Sequence, residues 1–223
     1  MPFPASLIEG YRAFLDHTLR TEQDRYRELA ESGQSPEVML IGCCDSRCAP
    51  ETIFNARPGE LFVVRNIANV VPPYAPDAQA HGVSSAIEFG IVALKVKHVV
   101  VLGHAQCGGV KAFAEDSEPL TPSDFIGKWM TLMAPAADKI GPRSGYSTAG
   151  YLTALEQANV VNSLGNLMTF PRLRERVERG ELTLHGAYFG VATGELSVLD
   201  RQTGAFKRIA VEQHAGVLET PRF

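Results

Sequence analysis

The chain has 223 residues, of which 45% are hydrophobic and 21% are charged, and its formal net charge is −4 at pH 7. This length can bury the core of one large domain, and an acidic balance without a basic block excludes an electrostatic footprint for nucleic acid. The opening MPFPASLIEG lacks the features of a signal peptide, and no run of about 18 apolar residues follows. We therefore expect a cytoplasmic protein that does not span a membrane.

The pattern of residues 1–33 predicts a helical arm that precedes the core. Apolar residues recur at roughly helical spacing from Leu7 to Ala30 among many charges, and a break is expected near Arg20–Thr21. So polar an arm needs a surface on which to lie, and a partner subunit is the surface we expect. The core should then occupy residues 34–200 of one domain that spans residues 1–223.

Strand and helix patterns alternate along the core. The predicted strands are EVMLIGC, LFVVRNIAN, KHVVVLG, ELTLHGAYFG, GELSVLD and AFKRIAV. The predicted helices are residues 50–56, 78–97, 123–139, 149–168 and PRLRERVERG, with another beginning in HAQCGGVKAF. This order predicts a single α/β domain with a central, mostly parallel β-sheet flanked by helices, a C-terminal antiparallel edge and the N-terminal helical arm.

Two of the predicted strands end in unusual chemistry. Cys43, Asp45 and Arg47 follow the first strand, and His104 and Cys107 follow KHVVVLG. The carboxyl ends of parallel strands meet at one sheet edge, so these groups can converge across the intervening sequence. Two thiolates and an imidazole are a typical zinc ligand set, and three protein ligands leave the fourth position that a catalytic zinc requires.

The carboxylate of Asp45 has two possible roles at such a centre. An aspartate beside the guanidinium of Arg47 stays ionised, because the opposite charge favours its anionic form. It could accept a proton or a hydrogen bond from a water on the metal, or it could take the fourth position itself. The residues alone leave both roles open.

CCDSR followed by GHAQCGG resembles the β-class carbonic anhydrases, whose signature is C-x-D-S-R and later H-x-x-C-G-G. The resemblance spans roughly residues 34–200 and continues in VVRNIANVVPPY, GVSSAIEFGIVALKVKHVVVLGH, SDFIGKW, VNSLGNLMTFP and HGAYFGVATGEL. It implies that Cys43, His104 and Cys107 bind one Zn²⁺ per chain and that Asp45 and Arg47 form a catalytic dyad. It also implies reversible hydration of CO2 to bicarbonate and a proton, through attack of zinc-bound hydroxide.

The plant-type branch of that family implies the residues of the substrate pocket. Gln34 stands nine residues before the first ligand cysteine, where an amide would hydrogen-bond an oxygen of CO2 or bicarbonate. Phe62, Ile67 and Phe89 occupy the apolar pocket positions, and Gly108 is placed with them. Phe89 replaces the tyrosine that is usual in the plant enzymes, so the ring remains and the hydroxyl is lost.

The other branch of the family has an inhibitory bicarbonate site made of a tryptophan, an arginine and a tyrosine. Leu40, Arg65 and Phe189 hold these positions, so only the arginine remains and we expect the site to be absent. We accordingly expect a zinc centre with water in the fourth position and Asp45 paired with Arg47.

Two alternative functions remain open, and the resemblance also implies an oligomeric state. Hydrolysis of CS2 or COS would use the same scaffold and zinc chemistry, and a non-catalytic zinc or redox-sensing protein would use the thiolates alone. In relatives the active site lies at a dimer interface, which implies a homodimer or a tetramer of dimers.

The remaining cysteines and three histidines have simpler expected roles. Continued strand alternation would point Cys44 away from Cys43, so we expect Cys44 to be a small core residue, and Cys48 likewise serves packing. The histidines without a partner at ligand spacing, expected to be structural or exposed, are His81, His98 and His185.

Overall fold

The computed structural model describes residues 3–209, in which six strands form a single sheet. The strands are β1 (Val38–Cys43), β2 (Leu61–Asn66), β3 (His98–His104), β4 (Thr183–Phe189), β5 (Leu196–Leu199) and β6 (Phe206–Arg208). Residues 1–2 and 210–223 of the expected domain lie outside the described residues, as do the last two residues of AFKRIAV.

The strand order is β2-β1-β3-β4-β5-β6, and the first four strands run parallel. β5 and β6 continue the sheet in antiparallel pairing. Met39, Leu40 and Ile41 of β1 are each at most 1% exposed, as expected for a parallel strand that is covered on both faces. The predicted single α/β domain, with its mostly parallel sheet and antiparallel edge, is confirmed, whereas its division at residue 34 stays a prediction.

Helices cover both faces of the sheet. They are α1 (Ala5–Ala13), α2 (Leu19–Ser32), α3 (Pro50–Ile53), α4 (Gly82–Glu88), α5 (Gly108–Ala114), α6 (Phe125–Met130), α7 (Ala134–Ile140), α8 (Thr148–Leu167) and α9 (Pro171–Glu178). Among residues 3–209, none of these helices has the length and apolar content needed to cross a bilayer.

Two predicted helices have different boundaries in the structure. The helix expected over residues 78–97 begins only at Gly82: Ala78 has a left-handed φ of 62°, and His81, which precedes the first turn, is extended. It continues through a π-helical turn at Phe89–Ala93 and stops before Lys95, whose φ is 55°. The helix expected over residues 123–139 is divided by a 3₁₀ turn at Thr131–Met133 before the next helix begins.

The helical arm has no break at Arg20–Thr21, so that expectation was wrong. The hydroxyl of Thr21 donates to main-chain carbonyls of the preceding turn, and α2 runs on without interruption. The irregularity lies earlier, in a π-helical turn at Phe14–Thr18. Large apolar side chains of the arm are exposed in this chain: Phe3, Leu7, Ile8 and Tyr11.

The hydrophobic core is divided between the faces and ends of the sheet. One cluster of buried side chains contains Met39 and Ile41 of β1 together with Val99 and Val101 of β3. A second cluster surrounds the carboxyl ends of these strands, and it includes the side chains of two cysteines, Cys43 and Cys107. The site predicted at this edge is therefore enclosed by apolar packing.

Candidate metal centre and active site

The sheet register brings together groups that are distant in sequence. β1 and β3 are neighbours in parallel register, with Gly42 opposite Leu102, so Cys43 and His104 reach the same edge. A turn in which Gln106 has a left-handed φ of 58° then returns Cys107 toward them. The ligand atoms of Cys43, His104 and Cys107 all lie within 4.8 Å of one another, and all three residues are buried.

The donor set fits a tetrahedral zinc ion. The Sγ atoms of Cys43 and Cys107 are 3.9 Å apart, and two Zn–S bonds of about 2.3 Å at a tetrahedral angle require about 3.8 Å. Nδ1 of His104 lies 2.9 Å from the carbonyl of Ala105, which fixes the ring, whereas its buried Nε2 has no hydrogen-bond partner among residues 3–209. A buried nitrogen without a partner is costly, and a metal would satisfy it.

The sulfur of Cys43 lies among groups that favour its thiolate. The hydrogen bond with Cys107 lowers the pKa of Cys43 most, and His104 and main-chain N–H groups lower it further. One of those N–H groups belongs to Ala68, which donates to Sγ of Cys43 at 3.4 Å from a left-handed conformation with a φ of 61°. Metals bind cysteine as the thiolate, so the surroundings prepare this ligand for metal.

Asp45 and Arg47 form a two-pronged ion pair beside the cluster. Nε and Nη2 of Arg47 donate to the two carboxylate oxygens at 2.9 and 2.7 Å, and these hydrogen bonds hold the pKa of Asp45 well below its ordinary value. Nη2 of Arg47 also donates to the carbonyl of Gln106, which joins the two strand-end loops. Oδ2 of Asp45 is 4.0 Å from Nε2 of His104, at the margin of the ligand set.

Arg65 also supports the loop after β1. Its Nε donates to the carbonyl of Cys43 at 2.8 Å and its Nη2 to the carbonyl of Asp45 at 2.7 Å. Sequence reasoning considered Arg65 only as the remnant of an inhibitory site. Arg65 is paired with Gly42, just before the end of β1, and from this position its side chain supports the loop after β1.

Ile67 and Gly108 lie next to the ligand cluster. Ile67 precedes the Ala68 whose N–H reaches Cys43, and Gly108 follows Cys107 at the start of α5. Both residues line a cavity of about 730 Å³ that extends under the loop between α5 and α6. Two of the predicted pocket residues are therefore close to the candidate metal site.

The other three predicted pocket residues are not brought there by this chain. Phe62 is opposite Met39 in the sheet. Met39 lies four residues before Cys43 in β1, which places Phe62 about 13 Å from the end of that strand. The rings of Phe62 and Phe89 contact each other with centroids 5.8 Å apart, and Phe89 is 48% exposed. Gln34 precedes β1 altogether and is exposed. The three residues lie toward the amino edge of the sheet.

The two cysteines outside the ligand set, Cys44 and Cys48, differ in burial. Cys44 is exposed, so its assignment to the core was wrong: β1 ends at Cys43, and the alternation that would have buried the next side chain ends with it. Cys48 is 2% exposed, as expected. Burial, helped by the negative charges of Asp45 and Cys43, raises the pKa of Cys48 to about 11, so it remains a thiol.

The three histidines outside the ligand set have local partners. Nε2 of His185 lies 3.2 Å from Nδ1 of His98 between β4 and β3, on the half-buried face of the sheet. His81 is exposed and pairs with Asp77 at 2.6 Å. These contacts agree with the structural roles expected for them.

Sequence reasoning missed a buried carboxylate that contacts the ligand loop and the tyrosine that holds it. Oε1 of Glu156 on α8 accepts the N–H of Cys107 at 3.0 Å, and Oε2 accepts the hydroxyl of Tyr188 at 2.6 Å. The available signal was a carboxylate between Leu155 and Val160 on a helix whose surroundings are apolar, because a buried charge needs partners.

Comparisons with known proteins agree with the architecture and the signature. The model of the carbonic anhydrase family matches residues 38–196. The chain is 38% identical over 200 residues to "Beta carbonic anhydrase 3" of Arabidopsis thaliana, which covers 87% of this chain and 76% of the relative.

Solved structures show the same fold over nearly the whole chain. The β-carbonic anhydrase CcaA superposes with a TM-score of 0.85 at 29% identity, covering 92% of this chain and 91% of that one. A tetrameric β-carbonic anhydrase from Sordaria macrospora superposes with a TM-score of 0.74 at 28% identity, covering 91% and 97%. Because the family model matches most of the core and the Arabidopsis relative is 38% identical, the chain belongs to the β-class carbonic anhydrases, which are lyases.

Proposed function

We propose that this protein hydrates CO2 reversibly to bicarbonate and a proton, with one zinc ion held by Cys43, His104 and Cys107. The observation that supports the proposal is the buried convergence of two sulfurs and an unpartnered imidazole nitrogen within 4.8 Å. When bound, zinc would lower the pKa of a water in its fourth position to about 7 and so supply the nucleophile at neutral pH.

Asp45 would orient that water by accepting its hydrogen bond. Arg47 keeps the carboxylate ionised and, through its contact with the carbonyl of Gln106, holds it near His104. Because both oxygens of Asp45 already receive hydrogen bonds from Arg47, we favour water over Asp45 in the fourth position. The role of Arg47 is then to orient a base without allowing it to bind the metal.

The substrate pocket would combine residues from two copies of the chain. Ile67 and Gly108 lie beside the ligands, whereas Gln34, Phe62 and Phe89 lie toward the other edge of the same sheet. We propose a homodimer, or an assembly of dimers, in which the second copy places these three beside the site. The exposed apolar side chains of the arm and the tetrameric Sordaria relative support such an assembly.

A reducing compartment, with the cytoplasm as the proposed location, suits this site. The chain has four cysteines, all of which are free in the structure, and oxidation of Cys43 or Cys107 would destroy the ligand set.

Zinc analysis and stopped-flow CO2 hydration of the purified protein test the proposal. We expect about one zinc per chain, and Cys43→Ser and His104→Ala should lose both the metal and the catalysis. Cys44→Ser is the matched control, because the exposed neighbouring thiol should be replaceable without loss of either.

Two results would contradict the proposal in different ways. Full zinc retention in both Cys43→Ser and His104→Ala would contradict the ligand assignment. Zinc-loaded protein that hydrates CO2 no faster than buffer would contradict the activity, and parallel assays with CS2 and COS would then separate a hydrolase from a non-catalytic zinc protein.

A further inference from the structure

Helix α8 carries a row of polar side chains on the side that faces the loop before α5 and the segment after β2. Glu156, Asn159, Ser163 and Asn166 are spaced by three, four and three residues, which places them on one side of the helix. Glu156, Asn159 and Ser163 are at most 4% exposed. We call these four residues the polar stripe. Buried polar groups are costly unless they are hydrogen-bonded, so their partners indicate why they are there.

The first member of the polar stripe contacts the main chain of a proposed ligand. One carboxylate oxygen of Glu156 accepts the N–H of Cys107 at 3.0 Å. The other oxygen accepts the hydroxyl of Tyr188 on β4 at 2.6 Å, which prevents the carboxylate from turning away. Cys107 is thereby tied to both α8 and β4 at the point where the ligand loop enters α5.

The second member contacts the turn that serves the other thiolate. Nδ2 of Asn159 donates to the carbonyl of Ala68 at 2.8 Å, and the N–H of Ala68 donates to Sγ of Cys43 at 3.4 Å. Ser163 extends this support, because its hydroxyl donates to the carbonyl of Asn69 and accepts the N–H of Val71. The left-handed conformation of Ala68 is uncommon for a residue with a Cβ, so it needs such external hydrogen bonds to persist.

We propose that α8 positions both cysteine ligands of the metal centre, with Glu156 acting on Cys107 through its main chain and Asn159 acting on Cys43 through Ala68. The inference rests on the ligand assignment made above. Glu156 and Asn159 are positioning residues: they would touch neither substrate nor metal, and they would fix the two sulfurs at the separation that a tetrahedral ion requires. Outer groups of this kind typically change metal affinity or activity by about 10–100-fold.

A second asparagine on α8 provides a matched control for Asn159. Asn162 is 6% exposed, and its Nδ2 donates to the carbonyl of Leu132 at 3.2 Å, in the segment between α6 and α7. Asn159→Ala and Asn162→Ala each remove one buried amide and leave one main-chain carbonyl without its donor. Only Asn159 is linked to a ligand segment, so loss of general stability and loss of ligand positioning can be separated.

The experiment measures zinc release from the fully loaded proteins into an excess of a chromogenic chelator. We expect Asn159→Ala to release zinc about 10–100 times faster than the parent, and Asn162→Ala to release it at the parental rate. In cobalt-substituted protein, the thiolate-to-cobalt charge-transfer band should change in Asn159→Ala only. Thermal unfolding midpoints of both variants show whether their stability losses are matched.

Substitutions of Glu156 test the other ligand. Glu156→Ala should accelerate zinc release by a similar factor, and Glu156→Gln should restore most of the parental rate, because its amide oxygen can still accept the N–H of Cys107. Where Glu156→Ala fails to fold, the pair Asn159→Ala and Asn162→Ala decides the question.

Separate outcomes overturn this inference and the function on which it rests. Equal zinc release and equal cobalt spectra for Asn159→Ala and Asn162→Ala would overturn positioning by α8 while the ligand assignment stands. A parent protein that holds no stoichiometric zinc would overturn the ligand assignment, and with it this inference.

Discussion

The two edges of the sheet differ in whether their predicted site residues meet within one chain. At the carboxyl edge, Cys43, His104 and Cys107 meet in a buried cluster, and hydrogen bonds fix the loops around them. Toward the amino edge, Phe89 is half exposed and Gln34 is exposed, with no ligand group of the cluster near them in the described residues.

This difference shows which residues the register of parallel strands can bring together. Parallel neighbours bring their ends to a common edge, so ligands from β1 and β3 meet within the chain. The same geometry separates residues at opposite ends of a strand by about 3.3 Å per residue, and no local adjustment brings Phe62 to Cys43. The proposed metal ligands therefore come from one chain, whereas the proposed pocket would require a second copy.

The largest effect should come from the carboxylate at the carboxyl edge. Asp45→Asn removes the charge that Arg47 holds beside the cluster but leaves the three ligands in place. We expect full zinc content and a decrease in kcat/KM of about 10²-fold, the usual contribution of a positioned acid or base. An unchanged rate of CO2 hydration at full zinc occupancy would remove Asp45 from the mechanism.

Two adjacent glycines, Gly108 and Gly109, differ in how closely other atoms pack around them. A Cβ on Gly109 would lie 2.7 Å from Cγ2 of Ile67, whereas a Cβ on Gly108 would have no neighbour within 4 Å among the described residues. Gly109→Ala should therefore lower the free energy of unfolding by about 1–3 kcal/mol, and Gly108→Ala should leave it nearly unchanged. Denaturant unfolding measures both, and equal losses would show that the edge is less closely packed than the structure indicates.

Gln34 tests whether the amino edge serves a site in another copy. Gln34→Ala should lower kcat/KM by about tenfold, the equivalent of one hydrogen bond to substrate. Mixed with inactive Cys43→Ser protein after exchange of subunits, it should recover up to about a quarter of parental activity, because one site of each mixed dimer would then be intact. If mixing restores nothing while subunit exchange is demonstrated, the shared site is contradicted.

The smallest effect concerns pH and the histidine pair between β3 and β4. Burial, followed by the charges of His98 and Arg201, lowers the pKa of His185 in the folded protein. The unfolded chain then binds the proton more readily, so stability is lost as pH falls below the ordinary histidine pKa of about 6.5. The lowered pKa of Asp45 costs stability only at much lower pH, below about 3.9.

Denaturant unfolding between pH 7 and pH 5 measures this difference. The raised pKa values of His104 and Glu156 act in the opposite direction, so the prediction concerns the difference between the two proteins. As pH falls through this range, His185→Gln should retain more of its stability than the parent does. An identical slope in both proteins would mean that His185 does not set the acid sensitivity of the sheet.

Much of the fold was predictable because its signals are local. Aliphatic runs bounded by charge or glycine identify β1 and β3, and a hairpin pattern identifies β4 and β5. Helix boundaries were less predictable, because Ala78 and Lys95 adopt left-handed backbone conformations that neither residue type favours. Cys44 was misplaced for a related reason, since periodicity does not reveal where a strand ends.

The convergence of the proposed ligands was predictable from the sequence, whereas the side chains that support their loops were not. Cysteine, histidine and aspartate at strand ends are chemically conspicuous, and the shared edge of parallel strands indicated where they meet. Glu156 and Asn159 gave no comparable signal, because their roles depend on which loops α8 packs against, and those contacts join residues 49 and 91 positions apart. Such partners follow from tertiary structure alone.

The place of α8 in the chain also bears on how the protein is made. All three proposed ligands have been synthesised by Cys107, but α8 begins at Thr148, and at about 5–20 residues per second its first turn follows some 2–8 s later. During that interval the two thiols exist without the helix that braces their loops. On the proposed ligand assignment, the cell would have to keep both thiols reduced during that interval, and stable loading of zinc would follow the docking of α8.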